Sequence, residues 1–565
     1  MKAKRHNLEK IVYAFVGILV FLRLLIYHNY VLGRENYFYS DDAVYAILSS
    51  RFLHGDFWNA FHPYWSPGFP LATIPFYLAS QSWETSQFLV SAFSATLLIL
   101  VLFWFFKRYS LSLALAVAFI TAFSVSLQIL VVSGGITEPL YVLLLWLGIC
   151  VGWLAITTRK SRFYIFAGIF FGLAYLTRTE AIVFLVLFLL IASLSQLFGK
   201  KNMKIRLKVW ATTVGAAILF FLLPNLPYIT FQSLQIGRLT LSGKYAFIGT
   251  GPYYALEKDR PTTLVQDVWA VDYADYSSPY YNPDRAKNFM IKYVRNGTIP
   301  QGAKKIFLES LELYKSVNTS NFFVKHWLYV ALAGFVLGVL HNKFRKLTLY
   351  FTVLWLSGLI WVSVFMAAHY RYLVYALPFF FYLQAIAVCS IGWVVIWVAR
   401  LVFKTKWTDK VAGGVSMILP VLLLADFLMK NTSVQALTSI QASGRFKDHK
   451  IIGEWIKSQG IKVFGGRMEA IRFYSDAKLV YMPSETPDKI VKYMKAWGIE
   501  YLLVRPNEVG YAHVAPIADP KYKNPDLTLV HQFYEGSLIW RIKLSDAEKS
   551  YNERTKRRDR IRSLF

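Results

Sequence analysis

Two adjacent carboxylates, Asp41 and Asp42, stand just beyond the first long apolar stretch of the chain. A carboxylate held beside an acceptor hydroxyl can take its proton while the hydroxyl oxygen attacks another atom. The same residues could instead start a helix, since Ser40 or Asp41 can cap it and Asp42 suits the positive end of its dipole. The local sequence leaves both interpretations open, and one aspartate can cap while the other acts.

The residues after the pair predict a helix with one apolar face. Val44, Ile47, Leu48 and Phe52 recur at helical spacing, a pattern typical of an amphipathic helix. We therefore expect this helix to lie on the outer surface of the membrane.

The composition indicates a polytopic membrane protein. Of 565 residues, 56% are hydrophobic and 17% charged, whereas soluble domains carry about 25% charged residues. The net charge is +29, and most basic residues stand in short loops between apolar runs. That placement favours the positive-inside rule and contact with anionic membrane lipids over nucleic-acid binding, for which no motif is visible. Both cysteines lie in apolar runs, where neither suggests a disulfide or a zinc site.

Apolar runs of spanning length predict about 11 to 13 transmembrane helices, since a helix crosses the hydrocarbon in about 20 residues. The run 68–80 is too short to span and is expected at the interface. The candidate spans are 9–30, 85–106, 111–131, 137–157, 163–178, 181–198, 209–230, 324–341, 347–367, 372–400 and 411–429.

Loop charges orient these spans. With these boundaries six basic segments fall on one side, which is expected to be cytoplasmic. The opposite side then receives the loops 31–84 and 231–323 and everything after residue 430. The predicted organisation is a transmembrane domain over 1–430, a small extracytoplasmic α/β domain over 446–545, and a basic tail over 546–565. Short strand-like runs and a helical run over 488–497 support the α/β assignment.

Four further segments lie on the predicted outer side in a definite order: 61–70, 133–141, 168–180 and 369–378. With the acidic pair, they resemble the GT-C glycosyltransferases, in particular family 39, which includes protein O-mannosyltransferases and ArnT-like aminoarabinose transferases. Family members have an acidic pair, usually Asp-Glu, early in the first extracytoplasmic loop, and a His/Pro-rich segment after it. The resemblance is strong over 1–230 and patchy over 320–400. This chain departs from it at Asp42, where the family usually has Glu.

The resemblance implies a GT-C fold and an inverting membrane glycosyltransferase. Such an enzyme would move a sugar from a polyprenyl-phosphate carrier to a hydroxyl of a lipid, glycan or protein acceptor, at the outer face of a bacterial or archaeal cell membrane. Asp41 is the first choice for the general base and Asp42 the second.

Three basic residues are candidates for the carrier phosphate by the same resemblance. A guanidinium fork suits phosphate, which makes Arg371 the first candidate, with Arg178 or Lys244 beside it. The alternatives are an interfacial Arg371 whose head reaches the headgroups, a structural ion pair of Arg178 with Glu180, and a solvated Lys244.

His62, Glu138 and Tyr372 are the candidates for substrate contacts. The alternative for His62 is packing among its aromatic neighbours, and the alternative for Glu138 is a solvated acid at a helix start. No cofactor is assigned, and no metal site is predicted. A divalent cation stays open, with Glu138 or His62 as its candidate ligand.

Two other classes of protein compete with the enzyme. A lipid-linked saccharide transporter or flippase would carry ionisable residues at mid-membrane and repeated halves. The spans here are nearly free of central charge, with Arg23 and Asp426 as exceptions. The second rival is a non-catalytic membrane scaffold. Because the acidic residues instead cluster outside the spans, the sequence favours the enzyme over the transporter.

Overall fold

The protein is mostly helical, with one five-stranded sheet near the C-terminus. The computed structural model describes residues 13–21, 37–38, 40–124, 127, 130–131, 136–197, 203–241, 243, 271–272, 298–317, 323–365, 370–403, 446–483, 486–506 and 515–546.

Helices build the part of the chain that precedes the sheet, and residues 13–21 are helical as well. The helices are α1 (Asp41–Leu53), α2 (Phe57–Ala60), α3 (Gly68–Ser80), α4 (Trp83–Phe106), α5 (Leu111–Phe123), α6 (Glu138–Thr158), α7 (Ser161–Thr177), α8 (Ala181–Leu197), α9 (Met203–Ile236), α10 (Thr298–Val317), α11 (Phe323–Leu340), α12 (Asn342–Phe365), α13 (Tyr370–Leu373) and α14 (Leu377–Phe403).

Five helical segments in the described part of the chain are long and apolar enough to cross a membrane, which indicates an integral membrane protein. They are Trp83–Phe106, Glu138–Thr158, Met203–Ile236, Asn342–Ser363 and Arg371–Ser390. Shorter apolar helices lie at Leu111–Phe123, Ser161–Thr177, Ala181–Leu197 and Leu328–Leu340. The predicted span 411–429 lies outside the described residues.

One predicted span, 372–400, does not begin as a single helix. Arg371 lies on the short helix α13, a 3-10 turn follows over Val374–Ala376, and α14 begins at Leu377. Proline lacks a backbone N–H and therefore fits the first turn of a helix, which is where Pro378 stands. The break gives Arg371 a helix of its own at the mouth of the span.

The C-terminal α/β domain has the predicted strands and helix. Parallel strands β2, β1 and β3 are extended by the antiparallel strands β5 and β4, in the order β2-β1-β3-β5-β4. The elements are α15 (Lys447–Ser458), β1 (Val463–Gly466), α16 (Glu469–Ser475), β2 (Lys478–Tyr481), α17 (Pro487–Ala496), β3 (Tyr501–Val504), β4 (Leu527–Gln532) and β5 (Leu538–Ile542).

Helix α1 is buried between the helical part and the C-terminal domain. Every residue over 43–49 is buried, and α16 packs directly on α1. Ala470 meets Ala43 and Ala46 in one apolar cluster, where small side chains let the two helices approach closely. The prediction of a helix with one apolar face is therefore wrong, because α1 is covered on more than one side; its place at the outer surface of the membrane stays a prediction.

A buried aspartate ties three distant segments together. Asp272 accepts hydrogen bonds from Arg51 of α1 at 2.9 Å and from Arg472 of α16 at 2.9 and 3.1 Å. It also accepts the backbone N–H of Leu479 at 3.3 Å. Burial alone would raise the pKa of Asp272, but the two guanidinium groups hold it well below its usual range. The charged aspartate thus fastens the C-terminal domain to α1.

Candidate active site

The two aspartates of the acidic pair have different partners. Asp42 Oδ1 accepts the backbone N–H groups of Ser40 at 2.6 Å and Ala43 at 3.0 Å, at the start of α1. The Ser40 side chain makes no capping hydrogen bond. Asp41 Oδ2 instead accepts a hydrogen bond from Arg371 Nη1 at 2.8 Å. Ser40 is thus the N-cap residue by position, as expected, but the Asp42 carboxylate binds the backbone in place of its side chain, and the expectation that Asp41 caps the helix is wrong.

Five ionised side chains meet beside the pair, and we call them the charged cluster: Asp41, Glu138, Arg178, Glu180 and Arg371. Glu138 Oε1 accepts from Arg371 Nε at 2.8 Å and from Arg178 Nη1 at 2.6 Å. Arg178 Nη2 also donates to Glu180 Oε1 at 3.2 Å. Glu138 is thus the centre that joins both arginines, and Arg371 connects it to Asp41.

The members of the charged cluster differ in exposure. The Glu138 side chain is 0% exposed, whereas 33% of the Asp41 side chain is exposed. A buried carboxylate is tolerated when cations and hydrogen bonds compensate for its lost hydration. The alternative of a solvated helix-start acid at Glu138 is therefore wrong. Asp41 lies at the open end of the cluster, where a substrate could reach it.

Helix ends bring the cluster together. Asp41 and Glu138 are the first residues of α1 and α6, where the helix dipole favours an acid. Arg178 directly follows α7, at the negative end of that helix, and its turn leads into α8. Arg371 lies on α13. Four separate segments thus contribute one charged side chain or more.

Aromatic rings surround the charged cluster. The Arg178 guanidinium lies 5.1 Å from the ring centre of Tyr372 and 5.7 Å from that of Tyr141. Such cation–aromatic contacts favour a positive charge over the ring face. Burial raises the pKa of Tyr64, and the nearby Tyr372 and Asp41 raise it further. Tyr372, a predicted substrate residue, is therefore one of the aromatic residues around the charged cluster. Tyr64 is another, and the sequence did not predict it as a site residue.

His62 and Lys244 are two further residues that the sequence predicted for the site. His62 is 1% exposed, and its Nδ1 accepts the backbone N–H groups of Tyr64 at 3.0 Å and Trp65 at 3.3 Å. This supports the packing alternative for His62, and its substrate contact stays a prediction. Lys244 lies outside the described residues. Its neighbour Gly243 donates its backbone N–H to the Pro63 carbonyl at 3.1 Å.

The described residues contain no group of three or more His, Cys, Asp or Glu side chains arranged to hold a metal ion. In the charged cluster the carboxylates are occupied by guanidinium groups, which repel cations. A role for a divalent cation stays a prediction.

A small apolar crevice lies among α6, α8, α12 and the start of α14. Its lining includes Trp146, Phe184, Trp355 and Tyr375. Tyr375 follows Arg371 by about one helical turn, and Trp146 follows Glu138 by about two turns. None of the residues that line the crevice belongs to the charged cluster.

Sequence reasoning missed the residues that the C-terminal domain brings to this region. Tyr481 donates a hydrogen bond to Glu469 Oε1 at 2.9 Å, and Tyr474 donates to Glu84 Oε1 at 3.0 Å. Nothing in the local sequence of these residues differs from an ordinary small domain. Only the packing of α16 on α1 relates them to the acidic pair.

The architecture is the GT-C fold that the sequence resemblance predicted. It is similar to the crystal structure of ArnT from Cupriavidus metallidurans in the apo state, with a TM-score of 0.52 and 13% identity over 94% of this chain and 98% of that one. It is equally similar to the crystal structure of the same ArnT bound to undecaprenyl phosphate, with a TM-score of 0.51 and 14% identity over the same shares. No protein-family model and no curated protein sequence matches the chain.

Proposed function

We propose that this protein is a membrane glycosyltransferase that moves a sugar from a polyprenyl-phosphate carrier to an acceptor hydroxyl at the outer face of the membrane. The observation that carries the proposal is the partly exposed Asp41 held by Arg371 at the end of the charged cluster. This pair lies in a fold similar to that of ArnT, one structure of which contains undecaprenyl phosphate.

Asp41 is the proposed general base. Its carboxylate would accept the proton of the acceptor hydroxyl as the oxygen bonds to the anomeric carbon. The bond from that carbon to the phosphate oxygen breaks, and its electron pair leaves with the polyprenyl phosphate. A single displacement of this kind inverts the anomeric centre. Asp42 is less suited, because its Oδ1 already accepts two backbone N–H groups.

Arg371 is the proposed ligand of the departing phosphate, assisted by Arg178. A guanidinium group placed where negative charge develops stabilises the transition state. In the structure, Arg371 Nη1 donates to Asp41 Oδ2 at 2.8 Å. The phosphodiester of the donor carries one negative charge and would compete with Asp41 for that guanidinium. A second negative charge develops on the phosphate as the bond to the anomeric carbon breaks, which would draw Arg371 further from Asp41 and leave the carboxylate to the acceptor. Glu138 would hold both arginines in place during this exchange.

A transfer assay with two matched variants tests the proposal. Purified protein would receive undecaprenyl-phosphate-linked sugars together with lipid A, methyl hexosides or Ser/Thr peptides as acceptors. We expect wild-type protein to transfer sugar and Asp41→Asn to lose about 10²–10⁴-fold in kcat, the usual contribution of a general base. Asp42→Asn is the control, and it should keep most of the activity and the stability, because the asparagine oxygen can still accept the same backbone N–H groups.

The outcomes separate the rival functions. Full activity in Asp41→Asn would exclude Asp41 as the base. Movement of the labelled carrier across the vesicle membrane without sugar transfer would identify a transporter instead. Absence of both activities in wild-type protein would favour a scaffold.

A further inference from the structure

Tyr45 is a buried tyrosine of α1 whose hydroxyl has no hydrogen-bond partner in the described part of the chain. The residue is 6% exposed. Its backbone carbonyl accepts from Ser49 Oγ at 2.6 Å, but its hydroxyl makes no hydrogen bond to any described residue. The fully enclosed polar atoms that lack a partner do not include this hydroxyl, so it is open to a ligand. Because buried polar groups are nearly always paired, Tyr45 indicates a ligand as its partner.

Helix geometry directs Tyr45 toward the charged cluster. Tyr45 follows Asp41 by four residues on α1, and residues four apart share one face of a helix. Helical side chains lean toward the N-terminus, so Tyr45 covers the turn that begins with Asp41. Leu140, two residues after Glu138, packs against the apolar cluster that contains Tyr45. The hydroxyl therefore lies on the side of α1 where Arg371 joins Asp41 to Glu138.

The ring of Tyr45 is held by two aromatic neighbours. Its centre lies 5.5 Å from that of Trp65 and 5.4 Å from that of Phe69, both in edge-to-face geometry, an arrangement that stabilises aromatic pairs. Burial raises the pKa of Tyr45, and the nearby Asp41 raises it further, against the opposite effect of Arg371. The hydroxyl therefore keeps its proton at neutral pH and is a fixed, uncharged donor.

We propose that the Tyr45 hydroxyl donates a hydrogen bond to a phosphate oxygen of the polyprenyl carrier, beside Arg371. The inference rests on the proposed function and deepens it, since it assigns an uncharged ligand to the carrier phosphate next to the charged one. Tyr45 would thus touch the donor substrate on the same helix face that carries the proposed base.

The chemistry of the reaction favours the phosphate as the partner of Tyr45. Phosphate oxygens only accept hydrogen bonds, and bonds to an anion are stronger than bonds between neutral groups. The bond from Tyr45 would strengthen further as negative charge grows on the departing phosphate. A donor aimed at the acceptor oxygen would instead occupy a lone pair that the attack on the anomeric carbon requires. The acceptor hydroxyl is therefore the poorer partner.

Binding of undecaprenyl phosphate to Tyr45→Phe tests the proposal without any need for turnover. The change removes only the hydroxyl and keeps the ring between Trp65 and Phe69. The Kd for purified protein in detergent would be measured by intrinsic fluorescence. Because the lost hydrogen bond is made to an anion, the Kd should rise about 10- to 100-fold. Undecaprenol, which lacks the phosphate, should bind to the variant and to wild type equally well.

Tyr350→Phe is the matched control. The Tyr350 hydroxyl donates to the Ile149 carbonyl at 3.4 Å, about three turns along α6 from Glu138, so this variant should bind undecaprenyl phosphate as wild type does. Thermal unfolding separates a ligand role of Tyr45 from a structural one. Without added lipid, Tyr45→Phe should unfold at or above the wild-type temperature, because its hydroxyl has no partner in the protein to lose.

Three results would overturn this inference alone: an unchanged Kd of Tyr45→Phe for undecaprenyl phosphate, an equal loss of affinity for undecaprenol, or a clear loss of stability without lipid. Failure of wild-type protein to bind undecaprenyl phosphate would instead overturn the proposed function beneath it.

Discussion

At the scale of single residues, the structure separates two adjacent aspartates by their partners. Asp42 binds backbone N–H groups at a helix start, while Asp41 pairs with an arginine 330 positions away in the sequence. The distinction matters for chemistry, because a carboxylate already bound to its own backbone is a poor proton acceptor for a substrate. Glu138 has a third role, as the buried counter-charge of two arginines.

Glu138→Gln should destabilise the protein severely. The change removes the negative charge between Arg178 and Arg371, and breaking a buried ion pair from one side typically costs about 3–5 kcal/mol. Thermal unfolding in detergent, followed by fluorescence, would measure the loss. Glu180→Gln is the matched control, since this side chain lies at the edge of the cluster and should cost about 1 kcal/mol. Equal losses in both variants would contradict a central role for Glu138.

At the scale of elements, the contact between α1 and α16 joins the helical part of the chain to the C-terminal domain. Small residues allow close packing, and Asp272 adds ion pairs from a third segment. Phe38 contributes as well, since its ring lies edge-on to Phe473 at 4.8 Å and its carbonyl accepts from His449. The contact is therefore both apolar and charged.

The α1–α16 contact should weaken as the pH rises from about 4.5 to 7. Burial raises the pKa of Glu469 from 4.5 to about 7, and the charge of Asp272 adds to the rise, against the opposite effects of Arg472, Tyr481 and Arg51. A carboxyl group that holds its proton more tightly when folded stabilises the folded state most below its unfolded pKa. That stabilisation is lost as the pH rises through the folded pKa, and it is constant above it.

Hydrogen exchange over 469–481 at pH 5, 6, 7 and 8 would measure this dependence. After correction for intrinsic exchange rates, protection in wild-type protein should fall across the interval and level off near pH 8. Glu469→Gln should flatten the profile. A wild-type profile that rises with pH, or one that the substitution leaves unchanged, would contradict the assignment to Glu469.

At the scale of the whole molecule, the charged cluster and the C-terminal domain lie on one side of the apolar helices. The contacts of Arg371 with Asp41 and of α16 with α1 require this arrangement. The loop charges predict that this side is extracytoplasmic. A donor carrier in the membrane and an acceptor outside it would then meet between the helices and the C-terminal domain.

Cysteine labelling in intact cells would test the orientation. Ser458→Cys lies in the C-terminal domain and Ser161→Cys at the start of α7, and both serines are exposed. A membrane-impermeant maleimide should label Ser458→Cys from outside and Ser161→Cys only after permeabilisation. Labelling of wild-type protein measures the background from the native cysteines, Cys150 and Cys389. The reverse pattern would place the charged cluster in the cytoplasm and contradict the proposed acceptor side.

The sequence alone determined those features that local patterns encode. Apolar runs predicted separate helices over 163–178 and 181–198, and the structure has them at Ser161–Thr177 and Ala181–Leu197. Alternation of short strands and helices predicted the C-terminal α/β domain. The family motifs predicted the GT-C fold. Such features depend on neighbours a few residues apart, so hydropathy and turn chemistry reveal them.

The tertiary structure decided which residues meet. Which of the two aspartates pairs with Arg371 was decided by packing, since no local pattern connects that arginine to either. The local sequence predicted an amphipathic helix at α1, because it contains no information about the C-terminal domain that covers the helix. The residues of α16 resembled ordinary residues of a small domain, and only the folded chain places this helix against α1. In each case the deciding contact spans hundreds of residues, and its geometry arises only when the separate elements pack together.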